Sequence, residues 1–135
     1  MINLLLVALG IVLNVSAQVA LKLAAQALAP AATTTGGAPA GLSLATILSD
    51  PVRVVFHPWF MLGLVLYAVS VVNWLVVLSR MPLSVSYPLM SLAYILTLAI
   101  GALWFKEPVT TLRVVGTLVI IVGVVLITRP VPVPA

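Results

Sequence analysis

The sequence predicts an all-α membrane protein of four transmembrane helices running up-down-up-down, on three observations. Only 6% of its 135 residues are charged and 64% are hydrophobic, where soluble domains carry about 25% charged residues. The apolar residues collect in four runs, 2–28, 59–78, 83–105 and 112–128, each near the roughly 20 residues that carry a helix across about 30 Å of hydrocarbon. Two connections, Ser79 to Pro82 and Lys106 to Thr111, are so short that the helices they join must be antiparallel neighbours. The runs are continuously apolar rather than alternating, which excludes barrel strands, and helices satisfy their own backbone groups in lipid. Residues 1–135 therefore read as one four-helix transmembrane domain.

The first run is too long for the apolar part of a signal peptide and has neither a basic start nor an A-x-A cleavage step, so it reads as a permanent helix. Residues 29–58 read as a linker followed by an interfacial segment. The linker, APAATTTGGAPAG, is too poor in large apolar residues to bury a core. The stretch that follows regains apolar residues and predicts a short surface helix ended by Asp50-Pro51, leading to Trp59 at headgroup level. Pro108 marks the end of the third helix, and Thr110 or Thr111 is the expected N-cap of the fourth. The tail PVPVPA predicts extended chain.

Charge and cysteine content narrow the function. With no cysteine, disulfides, thiolate metal sites and thiol nucleophiles are excluded. The net charge of +4 is spread over helix ends, unlike the basic patch that nucleic acid requires. His57, Asp50 and Glu107 all fall in loops, and no catalytic triad, metal-ligand cluster or phosphate loop is present. The expectation is a protein that is not an enzyme and needs no metal or cofactor. Basic residues fall on both sides of the membrane; counting Lys22 with Arg53, Lys106 and Arg113 leans the long loop toward the cytoplasm.

Polar residues inside the runs mark the candidate site. Asn14, Gln18 and Lys22 recur at every fourth position, placing two amides and an ammonium on one helix face. A lysine at the bilayer centre costs about 2.5–3.5 kcal/mol on insertion scales, so the stripe either serves a site or ends in a lysine that snorkels to the far interface. Ser84, Tyr87, Ser91 and Tyr94 share a face of the third helix, with Pro88 interrupting its hydrogen bonds. That face suits a polar path, or interhelical hydrogen bonds. In the second helix Asn73 sits deep enough to bond a neighbour, within a sector shared with Tyr67, Ser70 and Trp74. Ala93, Thr97 and Gly101 form a small-residue packing column, as do Gly116 and Gly123. Glu107 either pairs with Lys106 or Arg113 at the interface or contacts substrate.

The segment from Pro82 to Ile127, PLSVSYPLMSLAYILTLAIGALWFKEPVTTLRVVGTLVIIVGVVLI, resembles the four-helix branch of the drug/metabolite transporter superfamily. Two groups of that branch compete. The small multidrug resistance exporters carry a proton-exchanging glutamate in the first helix, where this chain has Asn14, and an amide does not titrate. The subunits of the undecaprenyl phosphate-aminoarabinose flippase show a Gln-x3-Lys step, matched by Gln18 and Lys22. They also show an A/S-Y-P-[LM]-[LM]-S-L run, matched by Ser86 to Leu92, and a later Glu-Pro, matched by Glu107-Pro108. The long first loop departs from the compact family pattern.

This resemblance implies a flippase subunit of the bacterial inner membrane that moves a polyprenyl phosphate-linked amino sugar for lipid A modification, with export of small cations or amines as the alternative. It implies a homodimer or a heterodimer with a similar short subunit, joined through a seam at Gly116 and Gly123. The substrate's phosphate calls for a cation and its sugar for amides and hydroxyls. Lys22, Gln18, Asn14, Tyr87, Ser91 and Glu107 are the expected substrate contacts, and Pro88 the expected hinge.

Overall fold

The computed structural model describes residues 2–29, 42 and 44–129. It is all-helical over these residues: α1 (Ile2–Leu28), α2 (Leu44–Ser49), α3 (Pro51–Val55), α4 (Pro58–Leu78), α5 (Leu83–Met90), α6 (Ala93–Leu103) and α7 (Thr111–Thr128). Four segments are long and apolar enough to cross a membrane: α1, α4, α5 with α6, and α7. The chain is a multi-pass membrane protein. Of the linker expected from residue 29 to 41, residues 30–41 lie outside the described residues, as does the extended tail expected over 130–135.

The interfacial segment forms two short helices rather than one. Ser49 ends α2, and Asp50 begins α3 by accepting the Arg53 backbone N–H at 3.1 Å, with Pro51 at the first helical position, where no intrahelical N–H is needed. Leu44, Leu48, Val52 and Phe56 are exposed. Thr110 does take the N-cap position of α7, but its side chain makes no capping bond; its carbonyl accepts from Arg113 and Val114 instead.

α1 and α4 form the tightest pair. Their buried positions recur every seven residues, Gly10, Ala17 and Ala24 on one helix and Gly63, Ser70 and Val77 on the other. This is the spacing that keeps a seam between two helices in register. A Cβ on Gly63 would stand 2.8 Å from Leu21 Cγ and 3.2 Å from the Ala17 carbonyl oxygen, so only glycine allows this approach. Ser70 Oγ donates to the Gly10 carbonyl at 3.5 Å, and Asn73 Nδ2 to the Leu6 carbonyl at 3.0 Å. The expected partner of Asn73 on a neighbouring helix is thus α1. These pairings rise along one helix as they fall along the other.

The four spanning segments meet in one apolar cluster, where Val7, Ile11 and Val15 of α1 join Val77, Leu89 of α5 and Val124 of α7. Beyond that cluster, toward the C-terminal half of α1, the elements open and leave a cleft.

The third span is broken. Its expected kink at Pro88 becomes a change of helix type three residues later: Ser91 and Leu92 bond back to Pro88 and Leu89, and Tyr94 and Ile95 to Ser91 and Leu92, all with the three-residue reach of a 3₁₀ turn. Pro88 has no N–H to give the Ser84 carbonyl, which loosens the preceding turn. The span ends at Leu103, short of the expected Phe105.

Candidate functional site

The cleft lies between α1 and the broken α5–α6 span. Its first compartment, about 450 Å³, is lined by Asn14 and Gln18 on one side and by Tyr87, Met90, Ser91, Ala93, Tyr94 and Thr97 on the other. Gln18 Nε2 donates to Asn14 Oδ1 at 2.6 Å, a bond the four-residue spacing makes possible along one helix face. Each amide keeps further donor or acceptor capacity for a ligand. Tyr87 is steadied by an edge-on contact with Trp74 of α4, ring centroids 5.7 Å apart at 89°. Ser91 Oγ is turned back onto the Pro88 carbonyl. The stripe on α1 and the polar face of the third span therefore come together, except that Ser84, expected on that face, is not among the lining residues.

A second compartment, about 240 Å³, continues from the first through Gln18 and Thr97 and ends at Lys22, Gly101, Phe105 and Glu107. Here the structure corrects the sequence reading. Glu107 pairs with neither Lys106 nor Arg113; the Lys22 ammonium donates to its carboxylate, 85 residues away in the chain. Arg113 instead donates from Nη1 to the Pro108 carbonyl at 3.1 Å. Lys22 also lies 4.2 Å from the centroid of the Phe105 ring, within cation–π range.

The loop geometry that delivers Glu107 is specific. Lys106 adopts φ 52°, the left-handed conformation that commonly ends a helix but is uncommon for a side chain other than glycine. The turn folds the chain back so that the Glu107 N–H bonds the Gly101 carbonyl at 2.9 Å. A Cβ on Gly101 would sit 3.0 Å from Glu107 Oε2, so the bare glycine leaves room for the carboxylate. Gly101, expected as part of a helix-packing column, serves this loop. Thr97 of the same column lines both compartments.

A third compartment, about 410 Å³, opens from Tyr94, Thr97 and Glu107 toward Arg113, Gly116 and Thr117 of α7. On the other side of α1, Val19 and Ile100 line both the Lys22 compartment and an apolar groove of about 440 Å³ walled by Trp59, Leu62 and Trp104. Phe105 and Arg113 are not in the expected contact set; the position of Phe105 two residues before Glu107, and a cation in the first turn of α7, are the available signals.

Gly116 and Gly123 face open space within the chain: a Cβ at either would meet nothing within 4 Å. Among the described residues no group of three or more His, Asp or Glu comes together as a metal would need.

Comparison with known proteins agrees with this picture in part. No family model matches, and no solved structure does. Curated relatives do. The chain is 43% identical over 72 residues to a protein of Photorhabdus laumondii named "Probable 4-amino-4-deoxy-L-arabinose-phosphoundecaprenol flippase subunit ArnF", covering 52% of this chain and 57% of the relative. It is 40% identical over 70 residues to the correspondingly named ArnE of Pseudomonas fluorescens, covering 52% and 61%. Against the ArnE of an Enterobacter species it is 44% identical over 70 residues, covering 51% and 64%. The chain thus spans less than two thirds of each of these relatives. Over half of its own length, this multi-pass protein is similar to subunits named for the flipping of an aminoarabinose-phosphoundecaprenol.

Proposed function

We propose that the chain is a subunit of a flippase that moves a polyprenyl phosphate-linked amino sugar across the bacterial inner membrane. One observation carries the reading: a polar cleft that runs inside the membrane-spanning segments and ends at a lysine, beside an apolar groove that shares its wall. A phosphate needs the cation, a sugar needs the amides and hydroxyls of Asn14, Gln18, Tyr87 and Ser91, and a prenyl tail needs the apolar side. Ionisable groups within membrane spans are costly, face a bundle interior or a cavity, and mark substrate and ion paths. The names of the relatives point to the same substrate class.

In this reading the four spans run up-down-up-down in one domain, with α2 and α3 lying at the membrane surface. The cleft is open on its α7 side, toward Gly116 and Arg113, and a second subunit, alike or different, closes it there. The broken span α5–α6 changes its angle about Pro88 and Ser91 to expose the cleft to each side in turn.

The test is transport. The chain, with any subunit that copurifies, is reconstituted in liposomes containing a polyprenyl phosphate aminoarabinose lipid, and headgroup accessibility is followed on each leaflet. Flipping that Lys22→Gln abolishes supports the reading. No lipid movement, with uptake of small organic cations instead, overturns it in favour of an amine exporter.

A further inference from the structure

The Lys22–Glu107 pair is more elaborate than a simple counter-ion for a lysine requires. To place Glu107 there, the chain turns through a left-handed Lys106, bonds the Glu107 N–H to Gly101 and keeps a glycine at 101 to clear its carboxylate. The side chains remain 37% and 42% exposed, so both charges still face the cleft. The other acid in the sequence, Asp50, caps α3 and lies in a different part of the chain.

An ion pair open to a cleft is a mould for a zwitterion. An anion that takes Lys22 displaces Glu107, whose carboxylate, 42% exposed to the cleft, then loses the charge-assisted bond that Lys22 gave it. A headgroup carrying only a negative charge therefore meets resistance, because it strands Glu107. A headgroup carrying a phosphate and a protonated amine satisfies both partners at once. Phe105, 4.2 Å from the Lys22 ammonium, keeps that cation in place when its carboxylate partner is exchanged.

We propose that Glu107 is the specificity-determining residue that receives the amine of the headgroup while Lys22 receives its phosphate, so that the ion pair is exchanged rather than broken. This inference rests on the flippase reading and adds the headgroup amine as the feature selected.

The experiment measures equilibrium binding to the full chain extracted in native-membrane nanodiscs, which retain any partner subunit. Two probes are compared: a short-chain polyprenyl phosphate bearing 4-amino-4-deoxyarabinose, and the same lipid with its amine acetylated. The wild type is expected to prefer the free amine by about tenfold or more, the worth of one charge-assisted contact. Glu107→Gln should bring the two affinities to within about twofold, and Glu107→Asp should restore part of the preference. Equal binding of both lipids by the wild type overturns the role given to Glu107 and leaves the flippase reading standing. So does a Glu107→Gln variant that weakens both lipids equally, or one in which the preference persists. Binding of neither lipid by folded wild-type protein overturns the flippase reading itself.

Discussion

Asn73 and Gly10 face each other across the α1–α4 seam at a distance that admits no side chain: a Cβ on Gly10 would lie 2.8 Å from Asn73 Nδ2. The same Nδ2 donates to the Leu6 carbonyl at 3.0 Å, so it has little freedom to move aside. Gly10→Ala should therefore break that hydrogen bond. Interhelical bonds of this kind are worth about 0.6 kcal/mol on average and up to about 1.7 kcal/mol. Asn73→Ala should cost a similar amount while opening the space. The double variant should then be no less stable than Asn73→Ala alone, since alanine improves helix propensity by about 1 kcal/mol over glycine. Unfolding in mixed detergent micelles measures all three; strictly additive losses would mean that the two residues do not meet.

Lys22 supplies the second prediction. Lys22→Gln removes the charge that is costly to insert, and Glu107 retains access to the cleft, so the fold should persist. Affinity for the polyprenyl phosphate sugar should fall by about tenfold or more, and Lys22→Arg should keep part of it, because a guanidinium also holds phosphate though with a different geometry. Flipping and lipid binding at wild-type levels in Lys22→Gln would make Lys22 an anchor and direct the search to Arg113, which lines the adjoining compartment.

How much of this was readable beforehand depends on the reach of each interaction. The four spans follow from composition, and the Asn14–Gln18–Lys22 stripe from helix periodicity, because both are local properties. The facing of that stripe toward Tyr87, Ser91 and Tyr94 was implied by polarity, since neither face is favourable against lipid. The return of Glu107 into the cleft was not readable. It depends on a positive φ at Lys106, and a lysine carries no local signal for that conformation. The α1–α4 seam is legible in the sequence: Gly10, Ala17 and Ala24 repeat every seven residues, as do Gly63, Ser70 and Val77. Of the other small-residue columns, Ala93, Thr97 and Gly101 line the cleft, and Gly116, though not Gly123, lines its α7 side.

Pro88 gives the third prediction. Its missing N–H loosens the turn before the 3₁₀ linkage at Ser91 and Leu92. Pro88→Ala should restore a helical bond to Ser84 and stiffen the span, slowing flipping more than it weakens lipid binding. Binding and flipping measured on the same reconstituted preparation decide it. Equal losses in both would place the proline in the wall of the binding site instead of at a hinge.

The fourth prediction concerns α7, whose single buried residue is Val124. A Cβ on Gly123 or Gly116 would meet nothing within 4 Å, so a side chain added at Gly123 leaves the helix into open space. Gly123→Leu should leave the fold of one subunit intact and even favour the helix, since glycine is about 0.8–1.0 kcal/mol less favourable than alanine and leucine lies close to alanine. If a second subunit packs here, the added side chain holds the helices apart and the assembly dissociates. Gly101→Ala is the internal contrast, because its Cβ presses on Glu107 within the chain and should impair lipid binding without changing assembly. Crosslinking in native membranes reads both. Loss of the crosslinked species in Gly123→Leu, with its retention in Gly101→Ala, assigns the open α7 face to the subunit seam. A wild-type chain that transports while crosslinking only as a monomer would remove the seam altogether.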